Sequence, residues 1–395
     1  MHLFDTTTNL VELRLRELGF QFNPFEYLEA SGDARLGEYL IGHETFAGAW
    51  AETPTCVFAP AGGGKTAMHV YTTRACWVGV GGLHPFPIPY LLTAYPFEHA
   101  PPTLESHLRN LVRSGAIALL IGLAFRPERL LGLAPTDQQM LATFLANTLP
   151  GPLPRYLAIL RQANTPFVLP PLLHRAYVLP NPPSALILMR LCDVLEAAMT
   201  DEPVVPPAPA AGFEQLVDLL FRVLGFRSIL LLVDGADAFP ETSDDPVAIT
   251  EWLMPMFAQA QRWAMRKIYL KGFLPLETEP VLNERIPNFA AETTRARLQW
   301  TPPMLAELIR KRVYVASGGE FDSLDAISSP DLRDVEALLA ASVALLPREL
   351  LILVRRVFQE YVHRTPDATG YLEPIDIDNA LAWYRRHPGS TYHHS

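Results

Sequence analysis

The chain has 395 residues, of which 49% are hydrophobic and 19% charged, and its formal net charge is -10. That composition excludes a disordered chain and implies one large or two to three ordinary domains around an extensive buried core. The acidic balance also excludes whole-molecule attraction to nucleic acid or to an anionic membrane, which leaves a local basic patch as the electrostatic route to either.

From the N-terminus, Met1 to Leu10 lacks a basic segment followed by an apolar one, so no secretory leader is expected. A helix is predicted over Leu10 to Leu18 and stopped by Gly19; an Asn23-Pro24-Phe25 turn follows, then a short helix near Leu36 to Ile41. Thr55, Cys56, Val57 and Phe58 read as a short buried strand, and Ala67, Met68, Val70, Tyr71 and Ala75 carry a helical pattern.

Between them stands Ala59-Pro60-Ala61-Gly62-Gly63-Gly64-Lys65-Thr66. A glycine-rich turn between a strand and a helix lets successive backbone N–H groups curl around phosphate at a helix N-terminus. Lys65 then reaches the outer phosphates and the Thr66 hydroxyl faces Mg²⁺. Pro60, Ala61, Gly62, Gly63, Gly64, Lys65, Thr66 and Ala67 are therefore the predicted nucleotide contacts, with Ala59 standing where the strict pattern has Gly.

His84 to Tyr95, despite Pro85, Pro87 and Pro89, is expected to hold a second strand. From about Thr103 to Thr200 the pattern is helical, broken at Pro150-Gly151-Pro152 and Pro180-Asn181-Pro182-Pro183, and a proline-rich link runs from Pro203 to Pro209. The longest apolar run, Gly115 to Phe125, is too short for a membrane span and reads as a buried helix. Cys56, Cys76 and Cys192 are an odd number without metal-ligand spacing, as expected of reduced, buried thiols in an intracellular, cytoplasmic protein. No internal repeat is apparent.

Ile229-Leu230-Leu231-Leu232-Val233-Asp234 reads as a buried parallel strand ending in a carboxylate. Asp234 is the predicted Mg²⁺ ligand together with Thr66, and Asp237, three positions on, the group that orients an attacking water. A helix is predicted over Pro246 to Met265, a strand over Lys267 to Leu274, and another over Arg297 to Trp300. Thr301-Pro302-Pro303 then opens a helix from Met304 to Val315. A further helix starts at Leu346-Pro347-Arg348, where Arg348 opposes the helix dipole and calls for an anion, for which Glu349 is one candidate.

The pattern Asp234-Gly235-Ala236-Asp237 beside the phosphate loop resembles the Walker B segment of the STAND signalling ATPases, including NACHT-like ones, which sit beside the AAA+ proteins. The resemblance covers roughly Asn23 to Arg386 and implies an α/β fold: a P-loop NTPase core with a parallel sheet, a large helical insertion and a helical C-terminal lid. It implies residues 1–50 as an N-terminal linker with helices, 51–300 as the core with its insertion at about 103–200, and 301–395 as the lid. It also implies ATP or ADP with Mg²⁺ as cofactors, Asp237 and Lys65 as catalytic groups, Lys271 as a γ-phosphate sensor and Arg348 as a lid arginine on the nucleotide. For Lys271 and Arg348 an ordinary surface charge and a structural salt bridge are the alternatives. Phe25 or Tyr27 stacks on the base or anchors the linker in the core, and Arg285 and Arg295 are arginine-finger candidates.

The function so implied is a slow Mg²⁺-dependent ATPase acting as a conformational or assembly switch, with self-association and a separate protein partner. Ala238, where the family often has an acid, and Gly235, where most AAA+ enzymes have Glu, point to weak hydrolysis. A non-hydrolysing scaffold that recruits a nucleic-acid, defence or signalling partner, and a small-molecule kinase, are the alternatives.

Overall fold

In a computed structural model, which describes residues 3–33, 35–78, 84–161, 184–199, 205–366 and 370–387, five short apolar segments pair as one parallel sheet. They are β1 (Thr55–Ala59), β2 (Phe86–Leu91), β3 (Ile229–Asp234), β4 (Ile268–Pro275) and β5 (Thr294–Arg297), in the order β2-β3-β4-β1-β5. β1, β2 and β3 are buried at every position, as strands covered on both faces must be. The fold is α/β with an all-parallel sheet.

The order follows from the connections. From β1 the chain moves through the Lys65–Val78 helix to the far edge at β2, then returns strand by strand through β3 and β4 and passes β1 to reach β5. The connections leaving the neighbours β1 and β4 run in opposite directions along the sheet, and for an open parallel sheet with right-handed crossovers the general rule puts the ligand crevice at the carboxyl ends of such a pair. All five carboxyl ends lie along that one edge because the sheet is parallel.

β2 is an edge strand, which explains how it carries Pro87 and Pro89: both stand at alternate positions, opposite Leu230 and Leu232, where a missing N–H breaks no ladder on the free side. The last strand comes three residues earlier than expected. Thr294–Arg297 pairs with Thr55–Phe58, and Leu298 only donates its N–H to the Phe58 carbonyl. The apolar Leu298 and Trp300 mimicked a strand, whereas the true one is an edge on which Thr294, Arg295 and Arg297 are exposed. The helix expected over Pro246 to Met265 is likewise two, Pro246–Phe257 and Ala260–Ala264.

By its contacts the chain forms two compact units, one of residues 44–60 and 65–298, the other of 1–43, 61–64 and 299–395. The N-terminal segment thus belongs with the C-terminal helices instead of standing apart as a linker.

The first of these contains the sheet. Its core joins Ala49, Val57, Ala59, Met68, Cys76, Leu230, Leu232 and Phe273 between strands and helices. The described part of the insertion is helical, with Leu104–Phe125, Pro135–Thr148, Leu153–Arg161 and Ala185–Ala197 as its main elements. The proline break at 180–183 and the start of the 203–209 link lie outside the described residues. Leu104–Phe125 includes the polar turns before Gly115 and at 22 residues is long and apolar enough to cross a bilayer; 83% of its most apolar window is buried inside the protein. All three cysteines are buried and free.

The second unit is helical. Leu3–Glu17, Pro302–Ala316, Val335–Ala341, Pro347–Arg364 and Pro374–Arg386 enclose a core that includes Leu15, Phe20, Phe25, Ile309, Val313, Val354, Phe358 and Tyr361. Local signals set its boundaries. Pro302 and Pro347 occupy first turns, where their missing N–H costs nothing, and Glu373 and Asp376 form a reciprocal capping box. The 36–41 helix is reduced to a single turn, Leu36–Glu38. The segment is tied down instead by Arg312, which donates to the Pro24 carbonyl at 2.6 Å and lies 3.4 Å from the buried Asp33 carboxylate.

Candidate functional site

In the sheet unit, Lys65 and Thr66 begin a helix directly after the glycine loop and Asp234 ends β3, so both arrive at the carboxyl edge. Asp234 is 1% exposed. Its Oδ1 accepts the Gly235 N–H at 2.9 Å, while its Oδ2 has no hydrogen-bond partner. His69 Nδ1 lies 3.7 Å from Oδ2, too long for a hydrogen bond. Burial, and next the Asp237 charge, push the Asp234 carboxyl up to about 6, against the Thr66 hydroxyl, the Gly235 N–H and the Lys65 ammonium.

A buried carboxylate oxygen without a donor costs stability unless something positive meets it. The available donor set, the Thr66 hydroxyl and Asp234 Oδ2, is hard oxygen. It fits Mg²⁺, which takes one or two protein oxygens and completes its shell with water and phosphate. Among the described residues no group of three or more His, Cys, Asp or Glu could hold a metal by itself.

Lys65 Nζ lies 3.1 Å from Asp237 Oδ2 and 3.4 and 3.5 Å from the carbonyls of Ala59 and Pro60. The side chains of Lys65 and Asp237 are 9% and 25% exposed, which keeps this pair stronger than a surface ion pair. Gly235 has φ 78°, and a Cβ there would come within 3.1 Å of Leu91 Cδ1. That left-handed turn excludes a glutamate at position 235 without strain, a physical reason for the residue type that the sequence alone did not supply.

Lys271 corrects the expectation of a γ-phosphate sensor. It pairs in register with Thr55, at the amino end of β1, four strand positions before Pro275. It is 1% exposed. Its Nζ donates to the carbonyls of Gly48 at 3.3 Å, Thr53 at 2.8 Å and Ala51, and to Thr55 Oγ1 at 3.0 Å. Burial pulls this amine down to about 7. Lys271 is a buried cap on the carbonyls after the Phe46–Trp50 helix, at the end of the sheet opposite the loop.

Arg285 and Arg295 are half-exposed and face acids, Glu251 at 3.9 Å and Glu279 at 3.7 Å. Arg297 shares Glu279 at 2.9 Å, and Glu279, Arg295 and Arg297 border a groove of about 920 Å³ with Thr53 and Glu292.

In the helical unit, residues 61–64 of the loop meet the start of the Pro347–Arg364 helix. Gly62 has φ 73° and Gly64 φ 94°, with Gly63 outside that region, an alternation that curls successive N–H groups toward one concavity. A Cβ on Gly62 would stand 3.0 Å from Arg348 Cβ, so glycine is required there twice over. The Arg348 N–H donates to the Gly62 carbonyl at 3.4 Å, and the Trp300 indole N–H donates to the Gly63 carbonyl at 2.8 Å. The anion beside the Arg348 guanidinium is Glu29 at 3.5 Å; Glu349, the expected partner, instead accepts the Tyr384 hydroxyl at 2.8 Å. Phe25 is fully buried and stacks on Phe358 with ring centres 5.5 Å apart, which makes it a core anchor and removes it from base stacking. Tyr27 is half-buried against Gly32.

His69, Trp300 and Glu29 were not singled out from the sequence. His69 could have been found as the residue one helical turn after Lys65; Trp300 and Glu29 carry no local signal. Comparison with protein-family models, curated proteins and solved structures gives no match.

Proposed function

We propose that this chain binds a nucleoside triphosphate with Mg²⁺ through Pro60 to Ala67 and Asp234, and turns it over slowly as a nucleotide-controlled switch. The observation that carries the reading is Asp234 Oδ2: a buried, donorless carboxylate oxygen at the carboxyl end of a parallel strand, with the Thr66 hydroxyl acting on the same carboxyl group. The alternating glycine conformations at 62 and 64 and the Lys65 ammonium supply the donors that a phosphate chain needs. The resemblance to STAND and AAA+ ATPases makes ATP the leading nucleotide.

When bound, Mg²⁺ supplies charge neutralisation on the phosphate oxygens. Thr66 and Asp234 would hold the ion. Lys65 exchanges its Asp237 partner for phosphate, which frees the Asp237 carboxylate to accept a proton or orient a water. Slow turnover follows from two features: Gly235 leaves no room for a glutamate beside Asp234, and Asp237 is drawn toward Lys65. Those features also favour the second reading, a scaffold that binds nucleotide without hydrolysing it. Self-association and a protein partner are proposed only through the resemblance.

Calorimetric titration with Mg–ATP and phosphate-release assays test both readings. Wild type is expected to bind, Lys65→Ala to lose about tenfold or more in affinity, and Asp237→Ala to bind at least as tightly while releasing phosphate more slowly. Turnover unchanged in Asp237→Ala removes Asp237 from catalysis, and wild type that binds Mg–ATP without releasing phosphate above background selects the scaffold. Wild type that binds neither ATP nor ADP sinks the nucleotide reading.

A further inference from the structure

Within the helical unit, the carbonyls of Gly62 and Gly63 have different donors. Gly62 is held by a backbone N–H at the start of a helix, a long bond at 3.4 Å; Gly63 is held by a side chain, the Trp300 indole, at 2.8 Å. In a planar trans peptide the C=O and the N–H of the next residue point in opposite directions. Fixing the Gly63 carbonyl toward Trp300 therefore aims the Gly64 N–H away from Trp300, and fixing the Gly62 carbonyl toward Arg348 aims the Gly63 N–H away from the Arg348 backbone. The two N–H groups of the loop centre are thus oriented through their carbonyl sides, one by a backbone N–H and one by an indole N–H.

Trp300 is in turn braced. It follows Gln299, whose carbonyl lies 2.8 Å from His43 Nε2, and its ring lies 5.9 Å from the His43 ring, tilted by 59°. Its indole is half-buried, so its N–H keeps a defined direction while remaining sensitive to its acceptor.

We infer that Trp300 is a positioning residue for anion binding: its indole N–H sets the Gly63–Gly64 peptide so that the Gly64 N–H meets phosphate, and phosphate on the loop is registered at Trp300. The inference rests on the nucleotide reading and deepens it, because it assigns a side chain 235 positions downstream of Lys65 to the phosphate cradle. A bound polyphosphate draws on the Gly64 N–H, polarises the same peptide and strengthens the Gly63 carbonyl as an acceptor for the indole. Loop occupancy and the indole hydrogen bond thus rise and fall together.

Trp300→Phe keeps an aromatic ring beside His43 and deletes only the donor. Wild type and variant are titrated with Mg–ATP by calorimetry. In parallel, the indole nitrogen–proton resonances of the six tryptophans are followed, the one absent from Trp300→Phe being Trp300. The expected result is about fivefold weaker binding in the variant, the range that one lost neutral hydrogen bond produces, with a downfield shift of the wild-type Trp300 resonance on adding Mg–ATP. Should the variant fail to fold, the wild-type Trp300 resonance is assigned instead from its through-space contact with the His43 ring, and its response alone decides. Unaltered affinity in a folded variant, or an unmoved Trp300 resonance in nucleotide-bound wild type, overturns the inference while leaving the nucleotide reading intact. Wild type that binds no nucleotide overturns both, and the wild-type titration tells these cases apart.

Discussion

Replacing Asp234 by Asn separates a metal-binding carboxylate from a structural one, because the two roles predict opposite signs. The Asp234 carboxyl moves from 3.8 to about 6 as burial, and then the Asp237 charge, disfavour its ionised form. At neutral pH that shift corresponds to about 3 kcal/mol of stability lost to a buried charge. The sign follows from linkage. The folded value lies above the unfolded one, so the contribution is most favourable below 3.8 and is lost as pH rises to about 6. Asparagine carries no such penalty, but it places an amide N–H₂ where Oδ2 now lacks a partner, at a cost of about 1 to 3 kcal/mol. The metal-free variant is therefore expected to equal or exceed wild type by about 1 kcal/mol near neutral pH and to fall below it in acid, the difference swinging by about 3 kcal/mol. Its Mg²⁺-dependent gain in ATP affinity is expected to vanish. Urea denaturation in chelator across pH, with Mg–ATP calorimetry beside it, reads both effects. A variant less stable than wild type by the same margin at every pH, with its Mg²⁺ response intact, refutes the reasoning.

His107 is fully buried and neutral, with Nε2 2.8 Å from the Trp252 carbonyl and Nδ1 3.0 Å from the Tyr90 hydroxyl, and burial lowers it from 6.5 to about 4. The unfolded chain takes up this proton first, so about 3 kcal/mol present above 6.5 is expected to disappear as pH falls toward about 4. Denaturation of His107→Gln across that window should lack this component, and an unchanged slope counts against it. Lys271→Met strips donors from three carbonyls and a hydroxyl and is expected to cost about 3 kcal/mol in chemical denaturation while leaving Mg–ATP affinity within about twofold of wild type. A large affinity loss in Lys271→Met without a stability loss would restore the sensor role.

Much of the sheet unit was legible because its signals are local. The run Ile229 to Asp234, the Thr55 to Phe58 segment and the helical stretch after Thr103 each announce their period or length within a few residues. β5 was displaced because Thr294–Arg297 is an edge strand whose partner supplies the reason for pairing, while the apolar Leu298 and Trp300 serve other contacts. Glu349 failed as the partner of Arg348 for a similar reason. Adjacent residues on a helix point in different directions, so the nearest acid in sequence faced Tyr384 while Glu29, about 320 positions away, reached the guanidinium.

What the sequence determined by itself is the chemistry of contiguous residues: a turn of three glycines before Lys65 and Thr66, and an apolar strand ending in Asp234. Such features depend on backbone freedom and side-chain type, which neighbours in the chain set. What only the tertiary structure decided is which way each charge faces. Register placed Lys271 at the far end of the sheet, packing made Phe25 a core residue, and burial left Asp234 Oδ2 without a donor. Long-range packing also brought Trp300 to the carbonyl of Gly63. Orientation and desolvation are properties of the assembled neighbourhood, so no local pattern encodes them.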